Sequence, residues 1–471
     1  MGEKQMMREV DIVFGDKLIP VQLPEPVLTA AAQHGAEKVP AIGDIRQALQ
    51  DVMADPLGVP PIRETARPGM KVTIAFDDPT VPQIESQVWQ QAIGLSLEEL
   101  YAAGVKKKDI NLVCANALHR KFTPKEIGQL IGDDLVAEFS DQLHCHDAED
   151  KANIVSLGRT ASGYEVDLSR WVTDADLVIY VNTLLQRAFN GGWKSICVGL
   201  STYRSIRQHH HPDIMSMSTE HNPMHAILDE MGALVEEELG RERFFKIETL
   251  QKNFFQVAQF WAGSIPATRQ AALSEMRKRF TRRRDMVTEK ADIVLYGVPE
   301  GSPYAAFSRT NPFLSIISNG LGYLGGVIEG TGKPGCTVIL ATPAREDWDL
   351  PKFGPYKKFF DEVLPVCRDP YEILDKYAHE YATHPEFIHN YRFRYSHHPA
   401  LPLFAAFPLR RMNHAGRVFI AGAENPEMIK RMGMQPFPSV EKAVAAAREI
   451  HGNDSAVAFT QYPVLPNRFF I

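Results

Sequence analysis

Short runs of unbroken apolar residues, each followed by a segment with helical spacing, constrain this chain more than any other feature. In the first half they are residues 71–76 (KVTIAF), 109–115 (DINLVCA) and 175–181 (ADLVIYV); in the second, 292–296 (DIVLY), 336–341 (CTVILA) and 417–421 (RVFIA). A strand with no polar alternate must be covered on both faces, which is the situation of a parallel sheet. Residues 83–103, 123–131, 312–323, 370–382 and 440–450 carry the apolar period of helices, and 123–131 opens on a Thr-Pro-Lys-Glu capping sequence. The alternation predicts an α/β protein of two domains with mainly parallel sheets and a ligand site in an interdomain cleft. The expected boundaries are 1–285 and 286–471. Residues 1–65 read as strands and loops at a domain edge, and 243–285 as a solvated helical linker ending in the basic run MRKRFTRRRD.

Two domains also suit 471 residues, more than one ordinary core accommodates. With 51 Lys+Arg against 58 Asp+Glu, the net charge of −7 argues against a nucleic-acid binder, and the basic run lacks interleaved aromatic residues for stacking. No apolar run approaches the ~20 residues of a membrane helix. The first residues lack the apolar stretch of a signal peptide. Five scattered cysteines imply no disulfide framework, so the expectation is a cytoplasmic protein.

Several tempting motifs fail. Residues 326–335 (GVIEGTGKPG) have the wrong spacing for a P-loop, with Pro334 where a magnesium-binding hydroxyl belongs, and read as a turn. His379 and His384 do not share a helix face. His144-Cys145-His146 lacks a second ligand pair, and His397-His398 has no partner visible in sequence. No GxGxxG follows a strand, so the ordinary dinucleotide fingerprint is absent.

What remains is four segments at strand ends, where open α/β sheets hold ligands. They are Phe76-Asp77-Asp78-Pro79-Thr80-Val81-Pro82; Ala115-Asn116-Ala117-Leu118-His119-Arg120, followed by Thr123-Pro124-Lys125-Glu126; Phe189-Asn190-Gly191-Gly192-Trp193-Lys194-Ser195; and residues 202–212, with His209-His210-His211. Each alone has a mundane reading as a turn or polar loop; together they point to a site. In this order they resemble the nickel-dependent lactate racemases, whose homologues isomerise other 2-hydroxy acids. The resemblance covers nearly the whole chain and includes the helix start Phe-Pro-Ser-Val-Glu-Lys-Ala within residues 418–448. Its most specific element is Gly191-Gly192-Trp193-Lys194 followed 16 residues later by His210.

The resemblance implies a nickel-pincer nucleotide bonded through a thioamide to Lys194, with His210 as the nickel ligand and Asp78, Thr80, Gly191 and Gly192 beside the cofactor. Soft sulfur with imidazole suits Ni(II), and Gln208 or His209 would orient the ligand. It also implies hydride shuttling between substrate and cofactor, His119 as the first acid/base histidine, and dependence on cofactor-maturation enzymes. The departures are specific. Ungapped counting from Lys194 puts Leu184 at the second catalytic histidine, and Val81 replaces an arginine. Tyr304-Ala305-Ala306-Phe307-Ser308 replaces a Tyr-Gln-x-x-Lys element, so two cationic partners of a lactate carboxylate are missing. Arg187, Gln186 and Arg309 stand close by in sequence as substitutes. The expected function is thus an isomerase, a racemase or epimerase of a 2-hydroxy acid other than lactate, with Arg187 joining His119. The alternatives are a non-catalytic homologue that binds the cofactor or a related nucleotide, and an unrelated metal protein built on His209–His211.

Overall fold

The computed structural model of the chain describes residues 6–31, 40–81, 88–185, 189–215, 218, 219, 221–253, 255–279 and 289–462. It begins with an antiparallel hairpin, β1 (Met7–Phe14) and β2 (Lys17–Pro24), whose two-residue turn uses Gly15 at a φ of +66°. Next comes β3 (Val27–Ala31), which leaves the hairpin for a distant partner.

The unit that carries the candidate site comprises residues 35–280 and 388–398. Its sheet starts with β4 (Val72–Asp77), β5 (Ile110–Ala115) and β6 (Leu143–Cys145), all parallel. A hairpin follows, β7 (Ile154–Arg159) with β8 (Glu165–Ser169). The chain then crosses to the other side of β4 with β9 (Leu177–Leu184) and β10 (Phe244–Gln251), again parallel, and ends on β11 (Val257–Gly263), antiparallel to β10. The order β11-β10-β9-β4-β5-β6 reverses at β4, and the carboxyl ends of β4, β5 and β9 flank that switch point. Every residue of β4 and β9 is buried, as their apolar runs require.

The expected linker over 243–285 is instead β10, β11 and a helix, Ile265–Arg279, with 280–285 outside the described residues. Lys246 and Glu248 break the apolar signature of β10, yet both are wholly buried because they pair with each other at 2.8 Å. The predicted helix over 83–103 is present as Val88–Ala102, and its first expected residues lie outside the described ones. Pro124–Ile131 opens with the expected capping box between Thr123 and Glu126.

The other unit comprises residues 1–34, 281–387 and 399–471. Its strands are β12 (Ala291–Gly297), β13 (Gly332–Ala341), β14 (Arg417–Ala421), β15 (Gln435–Phe437) and β16 (Val457–Gln461). With β3 they form an all-parallel sheet in the order β15-β14-β13-β12-β16-β3. The division of the sequence at 285 is corrected at both ends. The first 34 residues join this unit because β3 extends its sheet and Val10, Ile12, Val21 and Leu23 enter its core beside Ile293, Leu295 and Val444. Residues 388–398 leave it for the site-bearing unit. Residues 326–335 are no turn: Val327 and Ile328 are buried in a short helix, Gly326–Thr331, that runs directly into β13. Before it, Phe313–Leu324 is a π-helix where an ordinary helix is expected over 312–323. Among the described residues no helix is long and apolar enough to cross a membrane.

Candidate functional site

Asp77 ends β4 and ties it to β9. Tyr180 Oη donates to one carboxylate oxygen at 3.0 Å and the Thr183 N–H to the other at 2.8 Å. Burial pushes this carboxyl up to about 7, against the pull of those donors and of Lys246. Asp78, one residue on, faces the opposite way. Its Oδ2 lies 2.7 Å from His119 Nδ1, and its Oδ1 accepts from the Thr80 hydroxyl and, at 3.3 Å, the Thr80 N–H. Thr80 Oγ1 is itself 3.2 Å from His119 Nδ1. His119 sits in a tight turn after β5, its N–H on Asn116 O at 2.7 Å and its carbonyl accepting from Asn116 Nδ2 at 3.1 Å. A carboxylate at Nδ1 favours the tautomer with the ring proton there, which makes Nε2 the acceptor nitrogen of the ring. Asp78 is buried, whereas the His119 side chain keeps 21% exposure.

The loop after β9 is shaped by what lies beneath it. Asn190 bridges it, its Oδ1 accepting the Leu185 N–H at 3.0 Å and its Nδ2 donating to Thr183 O at 2.8 Å. A Cβ on Gly191 would stand 2.7 Å from Leu184 Cδ2 and 2.8 Å from Glu248 Oε1, so no larger residue fits. Gly192 has a φ of +61°. Its N–H donates to Glu248 Oε1 at 3.1 Å and its carbonyl accepts from Lys246 Nζ at 2.7 Å, so the buried ion pair grips both sides of the Gly192 residue. Lys246 also donates to Ser195 Oγ at 2.8 Å. Lys194 starts the short helix that follows, and burial lowers its pKa while Asp77 and Asp78 pull it back up.

The histidine run follows a short helix whose N-cap, Thr202, also donates to Asp167 at 3.0 Å. His209 and His210 face each other with their Nδ1 atoms 2.9 Å apart. Burial drives His209 down to about 3, and drives His210 well below its ordinary value, with His209, Lys194 and His119 adding to the effect. Both rings are thus neutral, the form that ligates metals. His209 Nε2 is buried without a hydrogen-bond partner. His211 stands apart, partly exposed, 3.6 Å from Asp213. Among the described residues no group of three or more His, Cys, Asp or Glu is placed to hold a metal by itself, so a metal at His210 would take its other ligands from a bound molecule. Neutral imidazoles and an unpartnered buried ring nitrogen close to Lys194 fit a metal–nucleotide group tethered at that lysine.

Asp78, Thr80, His119, Gly191, Gly192, Lys194 and His210 therefore all lie at the carboxyl ends of one sheet or in the loops beyond them. Arg187 and Gln186 lie outside the described residues. Leu184 packs with Phe189, Leu250, Trp261 and Met276, so the ungapped count reaches a core position. Arg309 is exposed and pairs with Asp347 at 3.0 Å. Arg120 is buried against Glu126 at 2.7 Å. In the other unit, Ser308 receives the ammonium of Lys352 at 2.9 Å, a lysine with no motif to mark it. Sequence reasoning also missed the Lys246–Glu248 pair and the place of His397, which lies against His119 with ring centroids 6.4 Å apart. The His397-His398 doublet was visible, but the 277 residues between His397 and Arg120 were not bridged by any local signal.

The four segments gather beyond the carboxyl ends of a sheet that is parallel except for β11, and most of them fall in a stretch that resembles a known family. The family described as the lactate racemase N-terminal domain matches residues 14–222, a span that takes in every candidate residue from Asp78 to His210. That match covers a little under half of the chain, and over it the sequence is similar to the lactate racemases. It is 22% identical to a lactate racemase of Lactiplantibacillus plantarum over 425 residues, 88% of each chain. It is 22% identical over 228 residues to a lactate racemase of Thermoanaerobacterium thermosaccharolyticum, a match of 46% of this chain that spans only about half, 52%, of that relative. Its fold superposes on the apoprotein structure of a lactate racemase from the latter organism with a TM-score of 0.66 and 19% identity, covering 98% of this chain and 100% of that one. A Thermotoga maritima protein of known structure is similar at a TM-score of 0.53 and 12% identity, over 88% and 94% of the two chains.

Proposed function

We propose that this chain is an isomerase, a racemase or epimerase of a 2-hydroxy acid other than lactate, working with a nickel-pincer nucleotide bonded to Lys194. The observation that carries the reading is the meeting of a carboxylate-oriented imidazole, Asp78–His119, with the half-buried Lys194 and the neutral His209–His210 pair. Lys194 is the tether, His210 the metal ligand, and Gly191 and Gly192 keep the approach free of side chains. When bound, the group supplies a hydride acceptor and donor. The chain's own part is proton transfer. His119 Nε2 takes the hydroxyl proton as the carbinol carbon is oxidised and returns it to the carbonyl oxygen on reduction, while Asp78 stabilises the imidazolium formed in between. Arg187 is the proposed second functional residue of this loop. Val81 and Ser308, where cationic partners of lactate are expected, support a different substrate.

The test is intact and peptide mass with nickel analysis after co-expression with cofactor-synthesis enzymes. A nickel-containing adduct on the Lys194 peptide, absent in Lys194→Ala, is expected. An unmodified Lys194 beside a lactate racemase matured in the same cells would sink the reading. His119→Gln is expected to keep the adduct and lose turnover by about 10²-fold or more; a homologue that only stores or senses the cofactor has no turnover to lose.

A further inference from the structure

The turn that carries His119 is held by a segment from far down the chain. Tyr391 Oη donates to Ala117 O at 3.1 Å while accepting the Ala148 N–H at 3.0 Å. The His398 N–H donates to Leu118 O at 3.1 Å, the Arg120 N–H donates to His397 Nδ1 at 3.2 Å, and Lys121 Nζ donates to Arg392 O at 2.7 Å. The two residues before His119 and the two after it are therefore each tied to residues 388–398. Ala117 has a φ of +47°, a conformation that a non-glycine residue keeps only where its surroundings impose it. The His397 ring, wholly buried, stands edge-on to His119 at an interplanar angle of 74°.

The two imidazoles receive opposite instructions. Because His397 Nδ1 accepts a backbone N–H, its neutral ring carries the proton on Nε2. Because Asp78 faces His119 Nδ1, that ring carries its proton on Nδ1. His397 cannot take a second proton at Nδ1 without breaking the bond to Arg120, so it does not replace the second base missing at Leu184.

We propose that His397 is a positioning residue: through the Arg120 N–H it fixes the turn so that His119 Nδ1 meets Asp78 and Nε2 faces the site. This rests on His119 being the proton-transfer group, but the test does not need turnover. Two-bond ¹H–¹⁵N spectra of the whole chain labelled with ¹⁵N-histidine report each ring's tautomer; His119→Gln and the position-397 variants assign the two signals. The expected wild-type result is Nδ1–H at His119 and Nε2–H at His397. His397→Phe keeps a ring but no acceptor, and should turn His119 into a mixture of tautomers. His397→Asn keeps an acceptor at the Nδ1 place, and should retain the Nδ1–H form of His119. An unchanged His119 signal in a folded His397→Phe, equal damage from Phe and Asn, or Nδ1–H at His397 in the wild type would each overturn the proposal, the last even if His397→Phe fails to fold. In loaded enzyme the Phe variant should lose about 10²-fold in turnover. If His119→Gln retains turnover, the base assignment fails while the tautomer result stands.

Discussion

His146 shows how a single buried ring writes itself into the pH response of the molecule. Its Nε2 is 2.7 Å from Ser201 O, its Nδ1 is buried without a partner, and burial pushes its pKa down to about 4. The folded-state value lies below the unfolded one, so the ring adds stability that is complete above about 6.5. That stability is lost as pH falls toward about 4, because only the unfolded chain takes up the proton in that window. His146→Gln, whose amide N–H can reach the same carbonyl, should flatten the stability slope between pH 6.5 and 4 by about 1.4 kcal/mol per unit, read from urea midpoints across that range. Lys246 makes a sharper case. Lys246→Met leaves the Glu248 carboxylate buried without its cation and should cost about 3–5 kcal/mol, whereas an exposed lysine such as Lys376 should cost far less when truncated.

Among elements, the legible ones were those whose residues announce themselves within a single turn or strand. The helix Pro124–Ile131 carries its capping box in four consecutive letters, and Thr123→Ala should remove about 1 kcal/mol, measured by chemical denaturation against a Ser control that retains the cap. The apolar runs inside β4, β9, β13 and β14 were equally readable, although the first residues of β13 were not, and the loops at the ends of β4 and β9 carry Asp78 and Lys194 as the runs suggest. Strand β10 was not, because a buried ion pair looks in sequence like two solvated charges; only the partner's position in space distinguishes them. The supports of the site were unreadable for a similar reason. Tyr391 and His397 act on the His119 turn from more than 270 residues away, and hydrogen bonds to backbone groups select no residue type on the receiving side.

At the scale of the whole molecule, each unit is discontinuous in sequence. The all-parallel sheet needs β3 at its edge, and the β1–β2 hairpin fills its core with Val10, Ile12, Val21 and Leu23. Residues 281–471 produced alone should therefore be insoluble or molten, and the same segment with residues 1–34 fused to it should gain a cooperative unfolding transition, compared by calorimetry. Equal behaviour of the two chains would show the hairpin to be dispensable. The pairing of Val27 with Val457 sets a schedule for biosynthesis. The ribosome releases β3 430 residues before β16, the difference between those two positions, which at ordinary elongation rates is roughly 20 to 90 s. Until then the first hairpin waits with an apolar face uncovered, a natural client for a chaperone that works during synthesis. His119 waits too, since Tyr391 and His397 are made long after it. The turn that carries His119 is thus complete only after residues 388–398 have emerged, more than 270 residues later.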